Sequence, residues 1–209
     1  KSSIHSSLLL DIIKYLPDFI TTGENSFYNF YHSDIVIIDN RRTYVVSFKQ
    51  KEFIKEPLYM GKLFIDAETF ALKEAHFGIN PDYVQRTKND IIIKRSRQFD
   101  ITPKSVNYRV SYTNINGIYY ISHVRGDLNF KVRRRKRIFS TPLHVWFEFV
   151  TGKIETENIT PIPRNQRLST RDIFSNTTFE FDPLFWNDFN TIIPEKSIKE
   201  FISSYNFNR

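Results

Sequence analysis

The side chains that could do chemistry in this sequence are five histidines and a scattered set of carboxylates. The histidines are His5, His32, His76, His123 and His144. None of them lies at the H-E-x-x-H spacing of a zinc site, and the chain has no cysteine, so we predict no metal site and no cofactor. His76 and His123 fall in strand-like runs, where either could meet a carboxylate. A hydrolase with dispersed active-site residues therefore stays open as an alternative.

The sequence motifs of nucleophilic and nucleotide-binding enzymes are missing as well. Neither a G-x-S-x-G elbow, nor a P-loop, nor a G-x-G-x-x-G loop occurs, and six glycines leave little from which to build a phosphate cradle. We therefore predict that the protein is not an enzyme and assign no catalytic residue.

A run of positive charge is the most distinctive local pattern. Six of the seven residues from 131 to 137 are cationic, and Phe130 and Phe139 flank them. On a hairpin tip such a run could bind anionic headgroups or polymers, although a solvated loop between two strands would read the same way. Nucleic acid is not expected, because no matching fold motif accompanies the run. The candidate residues are Lys131, Arg133, Arg134, Arg135, Lys136 and Arg137.

The composition of the chain indicates one globular domain. Of its 209 residues, 40% are hydrophobic and 16% aromatic, which is ample for one core spanning residues 1–209, and the net charge is +7. No apolar run approaches the ~20 residues of a membrane span. Because the chain starts at Lys1, without an initiator methionine, we expect it to be part of a longer protein.

Hydrophobic periodicity predicts a mainly β (α+β) fold with helices at both ends. A helical pattern covers residues 6–17, and antiparallel strands follow over residues 27–182, with turns at Asp39-Asn40 and Asn116-Gly117. We read residues 78–103 as a long connection and residues 183–205 as helices. The expected architecture is a curved antiparallel sheet, or half-barrel, of about seven to nine strands.

Two segments carry a resemblance to a known family. Residues 44–72, with YVVSFK followed by YMGKLFIDAETFAL, and residues 182–195, DPLFWNDFNTIIPE, resemble bacterial cell-envelope proteins known as carboxypeptidase-like regulatory-domain-containing proteins. The strand-turn-strand G-x-L-x-I-D-x-x-T also resembles hairpins of lipoprotein-carrier half-barrels. The resemblance implies a periplasmic or outer-membrane-associated location, and it provides no catalytic residue.

These expectations combine into a leading hypothesis of a non-enzymatic envelope module. It would bind an apolar, lipid-like or acyl ligand, or an envelope partner protein, on the curved sheet. The side chains of that face are either an ordinary core or the lining of a cavity. The predicted lining is Tyr44, Val46, Phe48, Leu63, Ile65, Val106, Tyr108, Val110 and Tyr112.

Overall fold

The alternation of apolar and polar side chains builds a single antiparallel sheet. The computed structural model describes residues 7–20, 23, 26–92, 96–161 and 163. Within these residues, seven strands follow one another in sequence order without closing into a barrel, so the predicted mainly β, half-barrel-like fold is confirmed. The strands are β1 (Tyr28–Ile38), β2 (Arg41–Gln50), β3 (Tyr59–Asp66), β4 (Leu72–Ile79), β5 (Phe99–Ile115), β6 (Ile118–Arg134) and β7 (Ser140–Val150).

Two of the hairpin turns are built as their residues predict. Asp39 and Asn40 have φ of 50° and 59°, and Asn116 and Gly117 have φ of 52° and 86°. Two successive positive φ angles match the right-handed twist of the flanking strands, and Asn, Asp and Gly adopt them at the least cost. These local turns fix the register of β1 with β2 and of β5 with β6.

The connection between β4 and β5 is shorter than predicted. It covers residues 80–98 and contains a 3-10 helix, Val84–Thr87, and a short helix α1, Lys88–Ile91. The first part of β5, from Phe99 to Ile101, pairs with the cationic end of β6, and a bulge after Pro103 accommodates the missing proline N–H. Strand β5 therefore begins well before the alternating run at Val106.

The predicted helix over residues 6–17 is not continuous. Within the described residues 7–20, only Ser7 and Leu8 are helical, and turns follow. The backbone N–H of Ile13 donates to the hydroxyl of Tyr112 at 3.3 Å, a contact that sequence periodicity does not reveal. An isolated helix of this length is marginal, so such tertiary contacts decide its shape. The predicted strand and helices after residue 163 lie outside the described residues.

The core forms where the segment of residues 7–20, here called the N-terminal strap, crosses one face of the sheet. Phe19 has no exposed surface. Its ring stacks on Phe48 with centroids 4.6 Å apart, and it contacts Phe77 at 5.0 Å and Tyr59 at 5.6 Å. Such aromatic pairs add to the stabilisation from apolar burial alone. No helix in the described ranges is long and apolar enough to cross a membrane.

Replacing Phe19 by alanine should lower the free energy of unfolding by about 3–5 kcal/mol, because removing a buried ring leaves a cavity among its aromatic neighbours. Urea unfolding followed by circular dichroism measures the change. Phe53→Ala is the matched control, since that ring is 74% exposed and its loss should cost less than about 0.5 kcal/mol. Equal losses in the two variants would contradict the role of Phe19 as a buried anchor.

Candidate functional site

Register and alternation place all nine predicted lining residues on one face of the sheet, here called the apolar face. Tyr44 pairs with Ile65, and Val46 pairs with Leu63. Leu63 in turn lies opposite Ala75, and Ala75 lies opposite Val110, so the row continues across β2 to β5. The period of two in these strands is sufficient to predict which side chains share the face.

A cavity of about 390 Å³ lies between the N-terminal strap and the apolar face, and we call it the apolar groove. Its volume falls in the range of small-molecule sites, about 300–1,000 Å³. The groove is half open to solvent, and all the side chains that line it are apolar. The strap contributes Ile12, Ile13, Leu16, Phe19 and Ile20, and the sheet and its β3–β4 turn contribute Phe30, Val46, Leu63, Ile65, Phe70 and Leu72.

Only three of the predicted lining residues reach the groove, namely Val46, Leu63 and Ile65. The others have different positions on the same face. Phe48, Val110 and Tyr112 are buried in the main core, against which Tyr108 packs, and Val106 is buried in a smaller cluster with Ile79 and Val84. Tyr44 is half-buried, and its ring packs edge-on against His32 with centroids 5.8 Å apart.

Sequence reasoning missed half of the groove. It assigned the strap to a terminal helix and left it out of the predicted lining. The apolar spacing of Ile12, Ile13 and Leu16 was the available signal that this segment packs on the sheet. The residue that holds this wall in place is Tyr112, whose hydroxyl donates to Asp11 Oδ1 at 3.1 Å. Burial, followed by the nearby charge of Asp11, raises the pKa of Tyr112 well above its usual value, so the hydroxyl remains a donor at neutral pH.

The rim of the groove depends on the turn between β3 and β4. The carboxylate of Asp66 accepts the backbone N–H groups of Glu68 and Thr69, each at 3.0 Å, and Arg41 Nε lies 3.2 Å from its other oxygen. The N–H of Thr69 is the largest of the effects that hold the pKa of Asp66 below its usual range. This turn fixes Phe70 at a positive φ of 56°, with its ring 72% exposed beside the groove.

The opposite face of the sheet carries His76 and His123, the two histidines of the alternative hydrolase hypothesis. His76 contacts Glu74, which also binds Arg109 Nε at 2.6 Å. Burial raises the pKa of Glu74, but His76 and Arg109 outweigh it, and the net pKa lies below the usual value. Glu74 thus pairs with an arginine as well as with His76, as in a surface ion-pair network. His76, Glu74 and Arg109 do not line the apolar groove. They do not line the second cavity either, which lies beside Lys131 and Arg133.

The second histidine is arranged in a similar way. His123 Nε2 lies 3.5 Å from Glu148 Oε1, and Arg125 binds the same oxygen at 3.1 Å. Across the described part of the chain, no group of three or more His, Asp or Glu side chains is arranged to hold a metal ion.

The predicted cationic residues lie at and around the β6–β7 hairpin. Lys131 and Arg133 are on β6, and residues 134–139, here called the hairpin tip, form the exposed end. Phe130 is buried, as its alternation predicts, whereas Phe139 is 88% exposed.

Comparison of the chain with protein-family models, curated proteins and solved structures gave no match.

Replacing Asp66 by asparagine should lower the free energy of unfolding at neutral pH by about 1 kcal/mol, because the turn loses a charged acceptor. A carboxylate with a depressed pKa stabilises the fold above its ordinary pKa of 3.8 and loses that effect as the pH falls through its folded value. The difference between the variant and the natural chain should therefore shrink in acid. Urea unfolding from neutral to acidic pH measures it.

The matched control is Glu68→Gln, because the side chain of Glu68 is 75% exposed in the same turn. It should change stability little at any pH. A difference between the Asp66 variant and the natural chain that stays constant into acid would contradict a role for the ionised carboxylate.

Proposed function

We propose that this protein binds an apolar, acyl-chain-like ligand in the groove between the N-terminal strap and the apolar face of the sheet. The observation that supports it is a cavity of about 390 Å³ lined by apolar side chains. Water in such a site lacks the two to four polar partners that hold a buried water molecule. A hydrocarbon chain would lose no hydrogen bond on entering and would gain about 0.8 kcal/mol for each buried methylene group.

The open side of the groove suits a ligand with one polar end. The groove is bounded by the strap on one side and by β1 to β4 on the other, while the exposed ring of Phe70 stands at the edge. An acyl chain could lie on Val46 and Leu63 while its headgroup stays in solvent. This arrangement selects for hydrocarbon without requiring a charged partner inside the groove.

We also propose that the ligand is met in a bacterial envelope, at the periplasm or the outer membrane. Support for this location comes from the sequence resemblance of residues 44–72 and 182–195 to carboxypeptidase-like regulatory-domain-containing proteins. The role is binding rather than catalysis, because the groove presents no nucleophile, acid or base to a ligand. The alternative occupant is an apolar segment of an envelope partner protein.

Filling the groove should prevent binding. Val46→Trp places a large ring on the groove floor, and we expect the affinity for a fluorescent fatty acid, cis-parinaric acid, to fall at least about tenfold, equivalent to two lost methylene contacts. Fluorescence titration, with lauric acid as competitor, gives the dissociation constants. Ile37→Trp is the matched control, since that side chain is 64% exposed on β1 and lies outside the groove lining.

Equal affinity in the two tryptophan variants would place the probe elsewhere and refute the groove as the site. If the natural chain does not bind the probe, and an envelope partner protein slows amide hydrogen exchange in the groove residues, the protein occupant would be favoured.

Releasing the strap should weaken the site without filling it. Tyr112→Phe removes the hydroxyl that binds Asp11 and Ile13, so amide hydrogen exchange in residues 11–15 should speed up and acyl affinity should fall several-fold, about 1 kcal/mol. Tyr108→Phe is the control, because no described residue hydrogen-bonds its hydroxyl and it lies on the same strand. Unchanged exchange in the Tyr112 variant would show that the hydroxyl does not hold the strap.

A further inference from the structure

The hairpin tip combines features that neither a core nor a simple solvated loop requires. Ile138 is 90% exposed and Phe139 is 88% exposed, the highest values among the large apolar side chains that the structure describes. They are adjacent at the end of a hairpin, between the charged end of β6 and the start of β7 at Ser140. Two neighbouring apolar side chains that are almost wholly exposed at the end of a hairpin are candidates for a partner surface.

The charge around these two side chains is strongly unbalanced. All six cations from Lys131 to Arg137 are exposed. The acid facing them is Asp100, which contacts Lys88 and lies 3.5 Å from Arg133. Along the described ranges, no ion pair involves Arg134, Arg135, Lys136 or Arg137. Among the described residues the tip therefore carries a positive field that suits an anionic partner.

A polar cavity of about 230 Å³ lies beside the tip. Lys104, Lys131 and Arg133 line it together with Asp100, so the lining carries a net positive charge. Ile138 also lines this cavity, so an apolar side chain and three cations share one lining. Lysine and arginine side chains are the usual protein donors to the phosphate of a lipid headgroup.

The hairpin is tied to its neighbour, so its shape does not depend on a partner. The N–H of Arg135 donates to the carbonyl of Gln98 at 2.8 Å, and the N–H of Arg137 donates to the carbonyl of Arg134 at 3.0 Å. Lys136 occupies the turn with a φ of 65°. A preformed tip loses little conformational entropy on docking.

We propose that the hairpin tip docks on the surface of an anionic lipid bilayer. Ile138 and Phe139 enter the interface between headgroups and acyl chains, the cations of residues 131–137 bind lipid phosphates, and the cavity lined by Lys104 and Lys131 accepts one headgroup phosphate. A flexible anionic polymer would satisfy the cations but would leave Ile138 in water. The two exposed apolar side chains therefore favour the bilayer over a polymer.

This docking surface is separate from the apolar groove. Glu74 near the start of β4 lies opposite Ser111, near the end of β5, whereas the hairpin tip adjoins Phe99 at the other end of β5. The groove rim at Phe70 and the hairpin tip are thus at opposite ends of the strands. The inference does not rest on acyl binding in the groove.

Sedimentation of the full chain with lipid vesicles tests the docking surface. The probes are vesicles of phosphatidylcholine and vesicles in which roughly one-third is phosphatidylglycerol, with heparin as a soluble polyanion. The double variant Ile138→Ser with Phe139→Ser removes the apolar pair at unchanged charge, and Arg134→Ser with Arg137→Ser removes two cations. Matched controls are Ile118→Ser, 58% exposed at the far end of β6, and the exposed pair Arg42→Ser with Lys49→Ser.

We expect binding to the anionic vesicles only, weakened by salt. The apolar double variant should bind them at least about tenfold more weakly and keep its heparin affinity. The arginine double variant should lose about 30-fold, at roughly 1 kcal/mol per charge, while both controls bind like the natural chain. The proposal would be overturned if the chain did not bind vesicles, or if the apolar double variant bound them as well as Ile118→Ser does. Tight heparin binding would then identify a polymer site.

Discussion

The whole arrangement depends on the burial of Phe19 against the apolar face of a sheet that does not close. An open sheet leaves one apolar face in need of a cover, and the strap covers it by stacking Phe19 on Phe48 and holding Asp11 to Tyr112. The strap does not fill all the space above that face. The space left between the strap and β1 to β4 is the apolar groove.

The two faces of the sheet are chemically distinct because side chains alternate along each strand. The apolar face carries the core and the groove, while the opposite face carries paired charges such as Glu74 with Arg109 and Glu148 with Arg125. The charges named on that face are paired, whereas Arg134 to Arg137 at the hairpin tip form no ion pair with any described residue. The groove and the hairpin tip each bring exposed apolar side chains together with a cavity in the described part of the chain.

The sequence predicted what local chemistry controls. Asn116-Gly117 fixed a hairpin, and the alternation from Val106 to Tyr112 fixed which side chains share a face. It did not predict the non-helical course of the strap, because the Tyr112 contacts that shape the strap span about a hundred residues of sequence. Nor could it separate groove from core, since whether Leu63 lines a cavity depends on where the strap crosses the sheet.

The most direct test of the central claim is a methyl nuclear magnetic resonance titration of the chain with lauric acid. If the groove is the binding site, methyl signals of Val46, Leu63 and Ile65 should shift together and saturate at one ligand per chain, while those of Val132 and Ile37 stay in place. Shifts confined to methyl groups outside the groove, or no saturable shift at the three groove residues, would contradict the account.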